Sequence, residues 1–383
     1  MSDKTKTRKI LVVTGEASGD LHASHLVTAM RACTQHLEFY GMGGEKLRAA
    51  GMRIVFDIAQ FSVMGITEVI RHLGKLYRVF SSLKASLKHD RPDLLILVDY
   101  PDFNLRLAKA AKKYSIPVLY YISPQVWAWR TSRLKQIGDL VTKMIVVFPF
   151  ELPLYEKAGI DASFVGHPLL DILTVTRPKE ESTGHFGLDE HKTTIGLLPG
   201  SRLSEVKKLL PPMIEAAQHL TEHFSNLQFI VPIAPGLQKK EIEKLLQSAT
   251  VPITAVSDSI YEVIDSSYLV IVASGTATLE TALLATPMVI VYKMSPLSYL
   301  IGKALVKVPY IGMANIIAGK RVVPELIQGE ATAGNIAAAV TRMLKDTRYY
   351  QNICEELASI KKKLGEPGAS KRAAQIAVNM LSP

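Results

Sequence analysis

The segment TIGLLPGSRLSEVKKLL, residues 194–210, contains a continuous apolar run, then a Pro-Gly turn, then an amphipathic stretch. This order is typical of a buried parallel strand that leads through a tight turn into a covering helix. The same pattern occurs earlier in the chain after ILVV at residues 10–13 and LLILV at residues 94–98. The sequence therefore predicts an α/β fold in which parallel strands alternate with helices.

The apolar runs form two series that a polar stretch separates. That stretch, TRPKEESTGHFGLDEHK at residues 176–192, carries proline, glycine and mixed charge without apolar periodicity. A chain of 383 residues is also too long for one ordinary core. We therefore predict two Rossmann-like domains, residues 1–175 and 193–350, with residues 176–192 as the linker.

Composition narrows the classes of function. The two cysteines, Cys33 and Cys354, lack metal-ligand spacing, which indicates a reducing compartment and favours the cytoplasm. No stretch approaches the roughly 20 apolar residues that span a bilayer, and the start of the chain does not resemble a signal peptide. The formal net charge of +10 predicts an anionic partner, which by charge alone is a nucleic acid, a phosphorylated substrate or an acidic lipid surface. No nucleic-acid-binding module is recognisable, so nucleic acid is the least favoured of the three.

The turn after the strand at residues 194–198 is a candidate phosphate site. Gly200 lets the backbone approach a ligand, Ser201 is placed to cap the following helix, and Arg202 adds a charge that can bind phosphate. The alternative is an ordinary helix cap beside a surface arginine.

A second turn of this kind, SGTATLE at residues 274–280, follows another buried run. Gly275, Thr276 and Ala277 would open a helix whose amides bind phosphate, and Glu280 would accept hydrogen bonds from ribose hydroxyls. A tight strand-to-helix turn without a ligand is the alternative. Two such turns in one domain favour nucleotide binding. Because the GxGxxG and P-loop fingerprints are absent, the sequence disfavours an NAD enzyme and a P-loop NTPase.

In the N-terminal half, Asp99 stands directly after the run at residues 94–98. A carboxylate at the ligand edge of a sheet is a candidate general base, although it can also simply cap a turn. The loop TGEASGD at residues 14–20 follows the first strand and resembles a phosphate loop only loosely. The histidines show no HExxH-type spacing, so we expect no metal site and interpret His22, His25 and His167 as loop or packing residues.

Residues 63–80, VMGITEVIRHLGKLYRVF, form an amphipathic and basic helical pattern. This face is either ordinary core or a helix that lies on a membrane surface. The segment PQVWAWR at residues 124–130 places both tryptophans beside arginine, which suits a lipid interface, a carbohydrate face or, less favoured without a nucleic-acid module, a nucleic acid base. The same two surfaces are also candidates for a homodimer contact. In the membrane interpretation the contact residues are Ile66, Val69, Ile70, Leu73, Leu76, Arg71 and Lys75.

Taken together, many separate motifs resemble the lipid-A-disaccharide synthase family over residues 9–375. They are TGEASGDLHAS, FYGMGGEKLRAAGM, LVDYPDFNLRLAK, YISPQVWAWR, FVGHPL, LLPGSRLSEV, ASGTATLE and GMANIIAGKRVVPELIQ. The resemblance implies a GT-B glycosyltransferase fold, with two Rossmann-like domains facing a central cleft. It also implies that residues 351–383 return as C-terminal helices to the N-terminal domain, and that the C-terminal domain holds the donor nucleotide.

The reaction that the resemblance implies is an inverting, metal-independent sugar transfer without a cofactor. The donor is UDP-2,3-diacylglucosamine, the acceptor is 2,3-diacylglucosamine 1-phosphate, and the products are UDP and a β-1′,6-linked lipid A disaccharide. Asp99, Arg202, Glu280 and Asn315 fall at the family's functional positions, the last three on the donor side. We expect Glu16, Ser18 and Gln125 on the acceptor side. The expected location is the inner face of the inner membrane of a Gram-negative bacterium, where the enzyme meets an anionic surface.

Two rivals remain at the level of sequence. Another enzyme of the same fold, such as a UDP-sugar 2-epimerase or a lipid-intermediate N-acetylglucosaminyltransferase, would share the nucleotide site. A non-catalytic nucleotide sensor at a membrane surface would share it too, but it would release no UDP.

Overall fold

The computed structural model describes residues 7–60, 66–129, 133–257, 260–295, 299 and 308–381. The chain divides into two compact units. Unit 1 runs to Asp171 and resumes at Leu364, and unit 2 is Ile172–Lys363. Each unit contains its own parallel sheet, as the two series of apolar runs predicted.

Unit 1 has a seven-stranded parallel sheet in the described residues, in the order β3-β2-β1-β4-β5-β6-β7. Its strands are β1 (Arg8–Thr14), β2 (Leu37–Gly43), β3 (Arg53–Asp57), β4 (Leu94–Val98), β5 (Val118–Tyr121), β6 (Lys143–Val146) and β7 (Ala162–Phe164). Its helices are α1 (Ala17–Cys33), α2 (Glu45–Ala49), α3 (Ile66–His89), α4 (Pro101–Lys112), α5 (Val126–Trp129), α6 (Arg133–Leu140), α7 (Leu152–Lys157) and α8 (Leu169–Ile172), the last of which contains the unit boundary. Short 3₁₀ helices lie at Ile58–Gln60 and Pro149–Glu151.

Unit 2 has a six-stranded parallel sheet in its described residues, in the order β10-β9-β8-β11-β12-β13. Its strands are β8 (Thr193–Leu198), β9 (Leu227–Pro232), β10 (Ile253–Val256), β11 (Leu269–Ala273), β12 (Met288–Tyr292) and β13 (Glu325–Ile327). Its helices are α9 (Lys179–His185), α10 (Leu203–Thr221), α11 (Lys239–Leu246), α12 (Ile260–Ser266), α13 (Thr276–Leu283), α14 (Met313–Ala318), α15 (Ala333–Lys345) and α16 (Thr347–Lys363). A 3₁₀ helix lies at Gln328–Glu330.

Burial explains why the sequences of the central strands consist of consecutive apolar residues. Every residue of β4 is fully buried, because helices cover both faces of a parallel sheet. Burying one such leucine or valine side chain contributes about 1.5–3 kcal/mol. β4 lies beside β1, with Val12 opposite Ile96, and β11 lies beside β8, with Ile271 opposite Leu197. In each sheet the strand order reverses at this pair, which is where ligands bind in open α/β sheets.

The C-terminal helix α17 (Ala369–Asn379) belongs to unit 1 and packs against α1, so the predicted return of the chain is present. The Asp171 carboxylate caps it by accepting hydrogen bonds from the amides of Gly368 at 2.5 Å and Ser370 at 2.9 Å. Burial tends to raise the pKa of Asp171, but these amide bonds outweigh it and hold the pKa below its usual value. This cap therefore ties the end of the chain to unit 1.

The unit boundaries differ from those that the sequence predicted. Residues 176–192 are part of unit 2 and contain α9, and Phe186 and Leu188 pack with Ile230 and Val263 in a small apolar cluster. Two apolar residues are too few to give a visible periodicity, so the sequence pattern resembled a linker. Likewise α16, most of which falls in the predicted returning segment 351–383, stays in unit 2, where it packs against α13, α14 and α15.

Helix α3 occupies much of the predicted amphipathic stretch 63–80. Residues 63–65 and the side chains of residues 66–73 lie outside the described part of the chain. The predicted membrane contacts in that range are Ile66, Val69, Ile70, Arg71 and Leu73. Leu76 is half-buried and packs against the core of unit 1, as Phe80 does. The helix places Leu76 on the same face as the buried Val79 and Leu83. Lys75 is exposed.

None of the helices that the structure describes has the length and apolar character needed to cross a membrane.

Candidate active site

The loop after β4 holds Asp99 in an unusual backbone conformation. Asp99 and Tyr100 have φ values of 52° and 47°, in the left-handed region that side chains other than glycine rarely adopt. Such a conformation costs about 1–3 kcal/mol per residue and persists only where the surroundings enforce it. Here the Asp99 carbonyl accepts hydrogen bonds from the Asn104 side-chain amide and from the Tyr120 hydroxyl, both at 2.6 Å.

The Asp99 carboxyl is suited to accept a proton. The residue is half-buried, and burial raises its pKa, while a hydrogen bond from the Tyr100 backbone opposes part of the rise. A carboxylate with a raised pKa is a stronger base than a solvated one. The sequence predicted Asp99 from its position alone, and the structure adds the fixed backbone and the partial burial.

The loop after β1 lies beside that of β4. The Tyr100 ring covers Gly15, where an added Cβ would stand 2.5 Å from the ring. Glu16 follows and is exposed, as is Ser18 in the first turn of α1. Burial raises the pKa of Tyr100, and the negative charges of Glu16 and Asp102 raise it further. The structure therefore brings the predicted acceptor-side loop at Glu16 next to the Asp99 loop, at the switch point of the unit 1 sheet.

The loop after β5 leads into α5, and the buried carboxylate of Glu151 hydrogen-bonds to this segment. Glu151 is only 1% exposed and accepts hydrogen bonds from Trp127 Nε1 and from the Phe148 amide, both at 3.1 Å. Burial raises the pKa of Glu151 to about 7, although bonds from Phe148, Ser123 and Trp127 oppose the rise. Trp127 is thus anchored to the interior, while Gln125 is exposed.

Sequence reasoning missed Glu151, because the segment FPFE carries no motif and only its burial makes it unusual. Of the other aromatic and basic residues predicted in this loop, Arg130 and the side chain of Trp129 lie outside the described residues.

Of the three histidines predicted to be loop or packing residues, His22 and His167 are buried and His25 is half-buried on α1. His22 and His167 meet edge to face with ring centroids 6.4 Å apart. Burial lowers the pKa of His22 to about 4, with a contribution from His25, and lowers that of His167 to about 3. His167 Nδ1 accepts a hydrogen bond from the Leu169 amide at 3.1 Å. Both rings are therefore neutral at physiological pH. Within the described residues there is no cluster of three or more His, Cys, Asp or Glu side chains that could hold a metal.

In unit 2 the loop after β8 presents an exposed cation. Gly200 has a φ of 115°, which only glycine adopts easily, and it turns the chain from β8 towards α10. Ser201 is exposed. Arg202, and not Ser201, is the N-cap residue of α10, and its side chain makes no capping bond. The Arg202 guanidinium donates to Glu205 at 3.1 Å and its side chain is 75% exposed. The arginine is therefore accessible to an anion at a helix N-terminus.

The loop after β11 is open in the same way. Gly275 is the N-cap residue of α13, no side chain caps that helix, and a Cβ added at Gly275 would meet nothing within 4 Å. Thr276 is exposed and Ala277 is half-buried. Because β8 and β11 are neighbouring strands, the Gly200 and Gly275 loops leave the same edge of the sheet side by side. Two helix N-termini at one edge form a suitable site for a diphosphate.

Glu280, one turn into α13, is half-buried. Its Oε1 accepts a hydrogen bond from the Tyr261 hydroxyl at 3.2 Å. Burial raises the pKa of Glu280, and the bond from Tyr261 partly offsets the rise. The sequence did not single out Tyr261, which lies on α12, 19 residues before Glu280 in the chain. Its hydroxyl restrains the carboxylate that we expected to bind ribose.

Asn315 has an internal position. It is fully buried, its Oδ1 accepts from the amides of Val322 and Val323, and its Nδ2 donates to Val323 and Glu325. All four of its hydrogen-bonding positions are therefore used within the protein. This differs from the direct ligand contact that we expected from the sequence. Glu325 in turn accepts from the amide of Gly312 at 3.0 Å, so that Asn315 and Glu325 shape the start of α14.

The start of α14 is in turn bonded to the Gly275 loop. The Ser274 hydroxyl donates to the Ile311 carbonyl at 3.2 Å, and the Met313 amide donates to Thr278 Oγ1 at 3.3 Å. Asn315 thus supports the donor loop through the backbone that it orders.

The chain resembles known proteins over almost its whole length. The family model described as lipid-A-disaccharide synthetase (LpxB) matches residues 10–380. The lipid-A-disaccharide synthase of Geobacter sulfurreducens is 48% identical over 381 residues, which covers 100% of this chain and 99% of the relative.

Solved structures with a similar fold include the UDP-GlcNAc 2-epimerase of Neisseria meningitidis bound to UDP-GlcNAc. It has a TM-score of 0.66 and 15% identity over 97% of this chain and 100% of the epimerase. The calicheamicin glycosyltransferase CalG4 has a TM-score of 0.62 and 14% identity over 98% of this chain and 99% of that enzyme. These likenesses confirm the predicted GT-B type of fold. The identity over the full length goes further, and the chain belongs to the lipid-A-disaccharide synthase family.

Proposed function

We propose that this protein transfers 2,3-diacylglucosamine from its UDP conjugate to the 6-hydroxyl of 2,3-diacylglucosamine 1-phosphate. The products are UDP and the β-1′,6-linked lipid A disaccharide 1-phosphate. The observation that carries this proposal is the full-length match to lipid-A-disaccharide synthases, at 48% identity to the relative from Geobacter sulfurreducens. The half-buried Asp99 and the open loops at Gly200 and Gly275 supply groups that such a reaction needs.

In the proposed step the acceptor oxygen attacks the anomeric carbon of the donor as its proton passes to the Asp99 carboxylate. The bond from that carbon to the UDP oxygen breaks, and its electron pair leaves with the β-phosphate. One displacement inverts the anomeric centre, so no covalent enzyme intermediate forms. The raised pKa of Asp99 assists the proton transfer, because a stronger base takes the proton earlier.

The leaving UDP gains negative charge, and unit 2 offers groups that stabilise it. The Arg202 guanidinium is accessible, and the uncapped amides at the start of α10 and α13 point outward from the helix ends. Donors that are already oriented towards developing charge stabilise the transition state without a cost of reorganisation. We propose that these groups, with Ser201, Thr276 and Ala277, bind the diphosphate without a metal ion. Glu280 would bind the ribose hydroxyls.

The test is an assay of UDP release from UDP-2,3-diacylglucosamine with and without the lipid acceptor, with identification of the disaccharide product. We expect release only when the acceptor is present, and we expect the same rate in EDTA. Acceptor-independent conversion of UDP-GlcNAc into its 2-epimer would support an epimerase instead. UDP binding without any turnover would support a nucleotide sensor.

We further propose that the protein associates peripherally with the anionic inner face of the inner membrane, because its substrates carry acyl chains. Each methylene removed from the bilayer into water costs about 0.8 kcal/mol, so an enzyme that approaches the lipid avoids extracting the chains. The N-terminal half of α3 is the proposed contact, with apolar Ile66, Val69, Ile70 and Leu73 beside basic Arg71 and Lys75. Each basic residue would contribute about 1 kcal/mol at an anionic surface.

The membrane proposal is tested with the double variant Val69→Ser and Leu73→Ser, with Lys84→Ser as a control on the exposed side of the same helix. Flotation with vesicles that contain phosphatidylglycerol should show reduced binding of the double variant and unchanged UDP affinity. Unaltered flotation would contradict the proposal, and dissociation of a dimer without loss of flotation would assign the face to a second copy of the chain.

A further inference from the structure

We infer that Asn104 and Tyr120 are positioning residues, which fix the left-handed backbone of Asp99 and Tyr100 and thereby set the direction of the Asp99 carboxylate. The inference concerns two fully buried side chains to which the sequence motifs assign no role. It rests on the proposed function in one respect, because it takes Asp99 as the group that receives the proton.

The two side chains reach Asp99 from two different elements. Asn104 lies in the first turn of α4, and Tyr120 lies on β5, where it pairs with Leu97 of the neighbouring β4. Their two hydrogen bonds of 2.6 Å occupy both lone pairs of the Asp99 carbonyl, and Asn104 Nδ2 also approaches the carbonyl of Val98 at 3.2 Å. The peptide group that follows Asp99 is thus held by a strand and by a helix at once.

The backbone at this point requires such support. Asp99 and Tyr100 are consecutive residues with positive φ; aspartate adopts this region more readily than most residues, but a bulky aromatic residue such as Tyr100 does so only at a cost. Without these two hydrogen bonds, the Asp99 carbonyl would be a buried acceptor without a donor. The backbone of Asp99 and Tyr100 would then favour relaxation to negative φ. Relaxation would turn the Asp99 side chain away from its present direction.

Neither side chain can act on a substrate directly. Asn104 and Tyr120 are both 0% exposed, whereas Asp99 is partly accessible. Burial raises the pKa of Tyr120 well above its usual value, and the Asp99 charge raises it further, so its hydroxyl stays protonated and remains a donor at physiological pH. Any effect of these residues on the chemical step must therefore pass through the Asp99 backbone.

The pKa of the Asp99 carboxyl should change if the backbone of Asp99 and Tyr100 changes its conformation. Its pKa is set by burial and by the bond from the Tyr100 backbone, and both depend on the left-handed conformation. The titratable groups that act on Tyr120 are Asp99, Tyr155 on α7 and Asp102 in the first turn of α4, and those that act on Tyr100 are Asp102 and Glu16 in the loop after β1. A variant that keeps the charged groups Glu16 and Asp102 but frees the Asp99 peptide isolates the positioning effect.

Tyr120→Phe is the principal test, because it removes one hydrogen bond and keeps the ring in the core. Tyr121→Phe is the matched control, since Tyr121 is the next residue of β5, equally buried, and its hydroxyl faces Ser370 instead. We expect Tyr120→Phe to lower kcat about tenfold, which corresponds to the loss of one hydrogen bond in the transition state. We also expect the acidic limb of its kcat profile to shift, with KM for the donor and UDP affinity unchanged.

Three outcomes decide the inference. A wild-type kcat and pH profile for Tyr120→Phe would overturn it. A loss of kcat with an equal loss in Tyr121→Phe, together with a lower Tm in both, would also overturn it, because it would indicate a packing role. A loss confined to Tyr120→Phe supports it. Full turnover in Asp99→Asn would instead remove the base assignment, so the two failures are distinguishable.

Asn104→Asp provides a second measurement should Tyr120→Phe fold poorly. The substitution keeps the size of the side chain but replaces the donating amide with an acceptor that faces the Asp99 carbonyl. We expect a loss of kcat of at least tenfold in protein whose circular dichroism and UDP affinity match the wild type. Retention of kcat in that protein would overturn the inference independently.

Discussion

The loop after β4 in unit 1 and the loop after β11 in unit 2 stand at the switch points of their sheets but are built in opposite ways. At the β4 loop, bulky residues occupy left-handed conformations, and buried Asn104 and Tyr120 hold the Asp99 carbonyl. At the β11 loop, Gly275 leaves open space and no side chain caps the helix. The difference corresponds to two tasks, since a base must be held in one direction whereas a phosphate needs unobstructed amides.

The remaining loops follow the same division. In unit 1 the loop before α5 is fixed by the buried Glu151, which binds Trp127. In unit 2 the loop after β8 turns at Gly200 and exposes Arg202. In these loops unit 1 holds the site residues through interior polar side chains, and unit 2 uses glycine at the turn itself to keep the backbone accessible, with buried Asn315 supporting only the neighbouring start of α14. The four predictions below test each side of this contrast.

The largest effect is expected at Asp99. Asp99→Asn keeps the shape and the backbone bonds of the fixed loop but removes the base, so turnover should fall by about 10² to 10⁴. UDP affinity and Tm should stay close to those of the wild type. Steady-state kinetics with purified protein check this, with Asp102→Asn, an exposed carboxylate in the first turn of α4, as the control. Near-normal turnover would remove Asp99 from the mechanism.

The second prediction concerns the fixed loop at Glu151 and its dependence on pH. The pKa of Glu151 is about 7 in the folded protein, against 4.5 ordinarily. Between these values the folded state binds more protons than the unfolded one, so the free energy of unfolding decreases as pH rises through this window. The decrease amounts to about 3 kcal/mol.

Glu151→Gln should abolish that decrease, because glutamine does not titrate. Urea unfolding at pH 4.5 and pH 8 measures the difference between the variant and the wild type. His22 and His167 titrate in the opposite direction below pH 6.5, but they are present in both proteins and cancel in the comparison. Glu156→Gln, an exposed neighbour, is the control. Parallel pH profiles for Glu151→Gln and the wild type would contradict the prediction.

On the accessible side, Arg202→Ala should weaken UDP binding by about 2 kcal/mol, roughly 30-fold, because a charge-assisted hydrogen bond to phosphate is lost. Turnover should fall as well, since the phosphate gains charge in the transition state. Titration calorimetry with UDP gives the affinity. Lys207→Ala is the control, an exposed cation on the same helix. Equal UDP affinity in Arg202→Ala and the wild type would return Arg202 to the role of a surface residue.

The smallest effect is expected at Gly275. Its φ of 160° is extended and open to any residue, so Gly275→Ala should leave Tm unchanged. A methyl group in the phosphate site should nevertheless weaken UDP binding about tenfold, roughly 1.4 kcal/mol.

Gly200→Ala provides the comparison. Its φ of 115° and the Glu205 carboxylate, 2.6 Å from the added Cβ, predict a lower Tm. Wild-type UDP affinity in Gly275→Ala would show that the phosphates do not approach this loop.

The sequence by itself determined the architecture and the position of each loop. Runs such as residues 94–98 are apolar throughout because both faces of a parallel strand are buried, and that property is local to the chain. Asp99, Arg202 and Gly275 follow strands at the edge of the sheet where ligands bind, so the sequence also predicted them as site residues. The family motifs added the expected chemistry.

Only the tertiary structure decided which side chains hold these loops. Tyr120 is 21 residues from Asp99 and Trp127 is 24 residues from Glu151, so their hydrogen bonds exist only because neighbouring strands bring them together. The burial of Asn315 arises in the same way. A local pattern records whether a residue is apolar, but it does not record which distant group will be its partner or how much water that contact excludes.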